Sequence, residues 1–179
     1  MRKIVYYVAS SIDGFIAGPG DTIGGFVGEG SGVEQYLNDL KSFDTVIMGR
    51  RTYEFGYKFG LQPGHSPYPH MENYIFSKSL RFDNPAKNVH IHEPDLDFIR
   101  SLKTRPGTDI YLCGGGTFAG WLLDHGLIDE LKIKLNPLIL GTGIRLFGHS
   151  MRAIQTELTE HQSHDRGLQI ISYNLQYPD

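Results

Sequence analysis

The sequence predicts an α/β fold built on a mixed, mostly parallel β-sheet flanked by helices, with an antiparallel hairpin at the carboxyl end. Three observations carry that expectation. Short runs rich in Val, Ile, Leu and Tyr alternate with amphipathic segments along most of the chain, the pattern of parallel strands joined by right-handed helical crossovers. Two of those runs end in glycine-bearing turns that open helices, Met48-Gly49-Arg50-Arg51-Thr52 and Cys113-Gly114-Gly115-Gly116-Thr117. The closing segment reads as two strands around Asp165-Arg166-Gly167, where the glycine accepts the positive φ of a tight turn. A chain of 179 residues is enough for one good core, so a single domain over 1–179 is expected.

The elements follow in order. Ile4 to Ala9 shows little alternation, as a central strand covered on both faces does. From Gly14 to Gly32 the chain carries eight glycines with Pro19 and Asp21, which predicts a long loop of the kind that covers sites. Val33, Tyr36, Leu37, Leu40 and Phe43 recur at helical spacing and predict a helix from about Gly32 to Ser42. A strand over Thr45 to Met48 leads into a short helix reaching about Tyr57, with Arg50 and Arg51 at its start. Leu61 to Met71 holds three prolines and two histidines and reads as irregular. Strands over Asn73–Phe76 and Asn88–His92 come next, and Pro94 suits the first turn of a helix to about Leu102. Asp109–Cys113 is a strand, and Thr117–His125 a helix that Thr117 could cap and Gly126 ends. In the stretch Glu130–Leu140, Leu131, Ile133 and Leu135 alternate with Lys132 and Lys134, predicting a strand with one solvated face, and Asn136-Pro137 ends the alternation. Ile154–His164 and Leu168–Gln176 form the terminal hairpin.

Composition narrows the function class. Basic and acidic side chains number 17 and 20, for a net charge of −3, so there is no basic face for nucleic acid and no polybasic stretch for a membrane. A lone cysteine forms no internal disulfide, which points to a reducing, cytoplasmic setting. The opening apolar run of about six residues is shorter than the roughly 7–15 of a secretory signal, and no stretch approaches the roughly 18 of a membrane span. A small molecule is the expected partner.

In sheets of this class, ligands collect at the carboxyl ends of the strands. The loop after Ala9, the arginine pair after Met48 and the glycines after Cys113 all fall there. Gly114, Gly116 and Gly120 would let a backbone approach a pyrophosphate, or would simply make a tight turn. The acid of an ordinary Rossmann site is missing downstream, where Lys132 and Lys134 stand instead. Arg50 and Arg51 could grip a phosphate bidentately or form a solvated face. Two phosphate-suited turns at one edge match a dinucleotide with a bridging pyrophosphate and a ribose phosphate. For a proton source the candidates are Asp13, Glu34 and Tyr7, against the plainer readings of a turn residue, a first-turn acid and a pocket wall. Cys113 has no histidine near it in sequence and reads as inert, and His90, His92 and Glu93 lack a third ligand, so no metal site is expected.

The runs SSIDGFIAG, VIMGRRTYE, NYIFSKSL and LCGGGTFAGWLLDHGLIDEL resemble, in this order, dihydrofolate reductases and the reductase domain of bifunctional riboflavin-biosynthesis proteins, the RibD C-terminal group. The last run, continuing into LNPLILGTG, is more similar to the riboflavin type. The resemblance implies a dihydrofolate-reductase-like sheet and an NADPH-dependent reductase that transfers hydride to a pterin-like or pyrimidine-like heterocycle, as 5-amino-6-(5-phosphoribosylamino)uracil reductase does. It implies that Ala9 and Ile16 flank the nicotinamide amide, with the glycine-rich loop as lid. By the same resemblance Gly49, Arg50, Arg51 and Thr52 hold phosphates, Ser77 and Lys78 approach the adenosine phosphate, and Gly114, Gly115, Gly116 and Thr117 lie along the pyrophosphate and ribose. Tyr7, Val33, Leu37 and Cys113 would face the substrate. The chain departs from the pattern there, with Val33 in place of the pterin-binding carboxylate, Tyr7 in place of a lysine and Cys113 in place of a glutamate. Riboflavin-type relatives pair as homodimers, and the same is expected here. A catalytically inactive NADPH-binding module of this fold is the alternative reading, and a purely structural homodimer a third.

Overall fold

The computed structural model describes residues 1–178. Its elements in chain order are β1 (Ile4–Ser10), β2 (Phe15–Ala17), α1 (Ser31–Leu40), β3 (Thr45–Gly49), α2 (Arg50–Phe55), β4 (Glu72–Phe76), β5 (Val89–His92), α3 (Leu96–Thr104), β6 (Ile110–Leu112), α4 (Gly116–Asp124), β7 (Glu130–Leu135), β8 (Ile144–Arg145), β9 (Gln155–Ser163) and β10 (Gln169–Gln176). Eight strands form one sheet in the order β5-β4-β3-β6-β1-β7-β10-β9. From β5 to β7 every neighbouring pair is parallel, and β10 pairs antiparallel with both β7 and β9. The α/β class with its antiparallel terminal hairpin therefore holds. No helix among the described residues is long and apolar enough to cross a membrane.

Alternation along the parallel strands gives the sheet two cores. Ile4, Tyr6, Ile47, Leu112 and Leu131 pack with Ile99 and Leu102 of α3 and with Ala119, Leu122 and Leu123 of α4. On the other face Val5, Tyr7, Val46, Met48 and Tyr111 pack with Leu40 of α1 and Tyr53 of α2. Both faces are covered, as the unalternating run at Ile4–Ala9 requires.

Several local expectations are corrected. The loop after β1 contains β2, which pairs antiparallel with β8 in a small second sheet; its partner lies far along the chain, so no local pattern announces it. The cap of α3 is Asp95, whose carboxylate accepts from the N–H groups of Asp97 and Phe98, so the helix starts after Pro94 rather than on it. At the hairpin turn Arg166 joins Gly167 in positive φ, at 57° and 74°. Thr117 makes no cap either: α4 begins at Gly116 behind Gly115, with no side-chain cap.

The hairpin turn also anchors α1. Asp165 Oδ1 accepts from the Ser31 N–H at 2.8 Å and from Ser31 Oγ at 2.9 Å, which places a carboxylate at the positive end of the helix dipole. Beside it, a Cβ at Gly32 would lie 2.1 Å from Leu168 Cδ2. The first turn of α1 is thus clamped to the start of β10, and its position over the sheet is fixed.

Candidate functional site

Because β1, β3, β4 and β6 run parallel, the turns that follow them emerge along one edge of the sheet. Three of those turns touch. Phe118 Cβ stands 3.3 Å from where a Cβ would project at Gly49, and Thr52 Oγ1 stands 2.5 Å from the same point at Gly115. Gly114 and Gly115 hold φ of 55° and 87°, a left-handed path that a side chain would strain. Arg50 Nη1 donates to Ser79 Oγ at 2.8 Å and its Nε to Glu54 Oε1 at 2.7 Å, which ties the arginine turn to the turn after β4. Ser77 Oγ is spent locally, accepting from the N–H groups of Ser79 and Leu80, and Lys78 is exposed. Arg51 reaches Asp21 of the long loop at 3.4 Å with most of its side chain in solvent.

Alongside these turns, β1 outruns its neighbour. Its pairing with β6 stops at Tyr6–Leu112, whereas its pairing with β7 continues through Ala9–Lys134 to Ser10–Leu135. The strands part after Tyr6 and Leu112, ahead of the turn at Gly114, so that β1 from Tyr7 to Ser10, Ala9 included, has no partner on that side among the described residues and borders a notch in the sheet at the carboxyl edge. Ile16 lies on β2 and is partly buried. The remaining two glycines serve the chain itself: a Cβ at Gly116 would fall 2.1 Å from the Arg145 carbonyl oxygen and one at Gly120 2.2 Å from that of Phe147. They let α4 lie flat against residues 145–148.

Under α1 the sheet carries a polar aromatic cluster. Tyr36 and Tyr111 share a hydrogen bond of 2.8 Å between their hydroxyls, and the Tyr68 hydroxyl meets Cys113 Sγ at 3.1 Å. Tyr7 stacks edge-on against Tyr36 and donates to Asp39 Oδ2 at 3.1 Å. Burial pushes the Tyr36 hydroxyl up to about 12 and raises the Tyr7 hydroxyl and the Cys113 thiol as well. All three stay protonated at neutral pH, and Cys113 is no thiolate nucleophile.

The predicted helix face is rotated from the real one. Gly32, Tyr36 and Leu40 face the sheet with Asp39 half-buried beside them, whereas Glu34 and Leu37 lie on the exposed stripe with Asn38 and Lys41. Leu37 is 55% exposed. Neither Glu34 nor Leu37 lines the face under α1, and Val33 sits half-buried at its margin. The expected solvated face of β7 is also covered: Lys132 pairs with Asp39 at 2.9 Å, and Lys134 lies over the Tyr36 ring at 4.3 Å.

Comparison with known proteins decides the family. The family model described as the RibD C-terminal domain matches residues 2–170. The chain belongs to that family. An uncharacterized protein of Bacillus subtilis, YwjB, is 36% identical over 149 residues, which cover 82% of this chain and 83% of the relative. A second from the same organism, YyaP, is 27% identical over 97% of this chain and 95% of its own length. Among solved structures, a putative riboflavin biosynthesis protein from Shewanella sp. PV-4 superposes with a TM-score of 0.81 at 23% identity, over 99% of this chain and all of its own. The Thermotoga maritima diaminohydroxyphosphoribosylaminopyrimidine deaminase/5-amino-6-(5-phosphoribosylamino)uracil reductase superposes at 0.71 with 14% identity, over 98% of this chain and 57% of that longer one. At these identities the structural likeness establishes the fold.

In this RibD C-terminal domain the long loop is pinned rather than loose. Asn136, fully buried, accepts from the Val27 N–H at 2.8 Å and donates to the Lys134 carbonyl at 2.9 Å, while its own N–H reaches Ser10. Asp13 binds the far side. Its carboxylate accepts from Ser11 Oγ at 2.6 Å and from the N–H groups of Gly141 at 2.7 Å and Leu140 at 3.1 Å. These bonds, the Ser11 hydroxyl first, hold the acid near 2 against its ordinary 3.8, so Asp13 is ionised at neutral pH and acts as a clamp, not a proton donor. A depressed carboxyl contributes stability above its unfolded value and loses it as pH falls through the folded one. Asp13→Asn is therefore expected to melt earlier than wild type near neutral pH, the gap closing between about pH 4 and about pH 2 in thermal melts. His90 is engaged with Glu72 at 2.7 Å and His92 stacks on Phe98 at 3.9 Å. Among the described residues no group of three metal-ligating side chains occurs.

Sequence reasoning missed Asp39, Lys132, Lys134, Tyr36, Tyr68, Tyr111 and Asn136 as constituents of the site. For Asp39 a signal existed, since three residues on from Tyr36 is the same helix face.

Proposed function

We propose that this protein is an NADPH-dependent reductase of a pyrimidine-like or pterin-like heterocycle. The observation that carries the reading is the convergence of three post-strand turns, bearing Gly49–Thr52, Ser77–Ser79 and Gly114–Gly115, beside the notch where β1 parts from β6. Left-handed glycines with no side chain to exclude a pyrophosphate, next to a guanidinium pair, are a donor set suited to a phosphorylated dinucleotide. On this reading Gly114, Gly115 and Thr117 lie along its pyrophosphate, Arg50 and Arg51 take its ribose phosphate, and Ala9 and Ile16 border the nicotinamide. When bound, the cofactor would supply hydride; the chain positions donor and acceptor and excludes water. Pairing of two copies, in a cytoplasmic setting, belongs to the same proposal.

The test is a calorimetric titration with NADPH and NADH. NADPH is expected to bind more tightly, and replacing Arg50 and Arg51 together by glutamine should weaken it about 100-fold, as loss of two charge-assisted contacts does, while NADH changes little. Equal affinity for the two, or binding of neither, overturns the reading.

A second reading, a cofactor-binding module without turnover, draws support from one observation. The carboxylates of this region are committed, Asp39 to Lys132 and Tyr7 and Asp13 to its clamp. Steady NADPH oxidation with any heterocyclic acceptor would exclude it.

A further inference from the structure

Burying part of an ammonium costs free energy unless counter-charge or hydrogen bonds replace the lost water. The two lysines of β7 meet that demand differently. Lys132 is matched by Asp39. Lys134, one pleat nearer the carboxyl edge, has no carboxylate at ion-pair distance and no side-chain hydrogen bond among the described residues. Its nitrogen lies 4.3 Å from the centre of the Tyr36 ring, and burial pulls its ammonium below the ordinary lysine range. A cation–π contact offsets part of the desolvation cost and leaves the N–H donors unused.

Its neighbours in register are uncharged, Ala9 on β1 and Ile170 on β10. From α1 above, Tyr36 covers it on one side, and Asp39 is already taken by Lys132 and the Tyr7 hydroxyl. The amine therefore faces an aromatic and aliphatic wall with its hydrogen-bonding capacity free, one strand from the notch beside Ala9. A structural lysine at a sheet face would extend its head to water or to a partner; this one does neither fully.

We propose that Lys134 is the substrate-recognition residue of this site, its ammonium meeting the oxygen or ring nitrogen of a planar, anionic heterocycle seated between α1 and the ends of β1 and β7. The word substrate rests on the reductase reading above; the binding chemistry stands on the geometry alone. In a reduction, hydride from a dihydronicotinamide would join the carbon of a C=N or C=O group, the π pair would move to the heteroatom, and the Lys134 ammonium would neutralise that charge or give up a proton, regaining it from water. That assignment supplies the acid function that Asp13 and Glu34 do not.

The test uses cofactor-free wild-type protein, so its outcome is independent of whether NADPH binds. Pyridoxal, a planar heteroaromatic aldehyde, is reacted with the protein under cyanoborohydride near neutral pH, and the modified lysines are mapped by peptide mass spectrometry. Lys134 is expected to label faster than the exposed Lys41 and Lys87, as an amine freed of its proton at lower pH does. Orotate, a pyrimidine carboxylate, should slow that labelling more than uracil, its neutral parent. Labelling of Lys134 no faster than of the surface lysines overturns the proposal, and so does protection by orotate no greater than by uracil. Failure of the NADPH titration with selective labelling intact would remove the cofactor reading and leave the anion site standing.

Discussion

Gly120→Ala is expected to destabilise the protein by about 3 kcal/mol, the upper range for overpacking a filled interior, although alanine is the better helix former by about 1 kcal/mol. The sign is decided by distance. An added Cβ would lie 2.2 Å from the Phe147 carbonyl oxygen and 3.1 Å from its carbon, far inside contact, and the obstacle is backbone rather than a side chain that can swing away. That backbone is itself held: the Leu146 N–H bonds to Gly14, the Leu146 carbonyl accepts from the Tyr6 hydroxyl, and the Ser150 N–H bonds to Phe147. Separation of α4 from residues 145–150 would be needed to admit the methyl group. For a domain of this size the loss corresponds to a fall in melting temperature of about 10 °C, readable by calorimetry. Thr117→Ala, at an exposed position of the same helix, should change it by less than about 2 °C, and an equal fall in both variants would show that the close approach at Gly120 is not the cause.

That contrast shows where the sequence was informative and where it was not. The parallel sheet was legible because its strands are buried on both faces and separated by helical periodicity, and the carboxyl-edge turns because glycine and arginine after a strand have few other uses. The run Gly114-Gly115-Gly116 nevertheless divides its labour in a way no spacing reveals. Gly114 and Gly115 shape the turn, whereas Gly116 and Gly120 make room for a segment some thirty residues later. The same limit hid β2, whose partner strand is more remote still, Phe15 pairing with Arg145, and hid the covering of Lys132 and Lys134. Alternation says that two faces of a strand differ; it does not say what lies over the polar one. Once α1 is placed there by the Asp165 clamp, the lysines are covered and the Asp39 carboxylate becomes legible as the counterpart of Lys132. Glu34 and Leu37 were misassigned for a related reason, since a five-residue apolar stripe on a short helix is wide enough to leave one edge in water.

Asn136→Ala should cost about 2–3 kcal/mol and, beyond that, release the long loop. The side chain sits fully buried at the point where three elements meet, and its amide joins them: it accepts from Val27 of the loop, donates to Lys134 at the end of β7, and approaches the Ser10 carbonyl of β1 at 3.5 Å. Truncation leaves the half-buried Val27 N–H and Lys134 carbonyl without their partner, each costing about 1–3 kcal/mol where water cannot replace the amide. The two halves of the loss are separable. Asn136→Asp retains an acceptor for the Val27 N–H but has no donor for the Lys134 carbonyl, so it should keep the loop pinned while destabilising the strand end. Hydrogen exchange reads the difference: the Val27 amide is expected to lose protection in the alanine variant and to retain it in the aspartate variant at the same overall destabilisation. Loss of protection in both would show that the loop follows global stability and that Asn136 is not its specific tether. Because the Asn136 amide bonds to the carbonyl of Lys134 itself, the long loop and the end of β7 are held by one side chain.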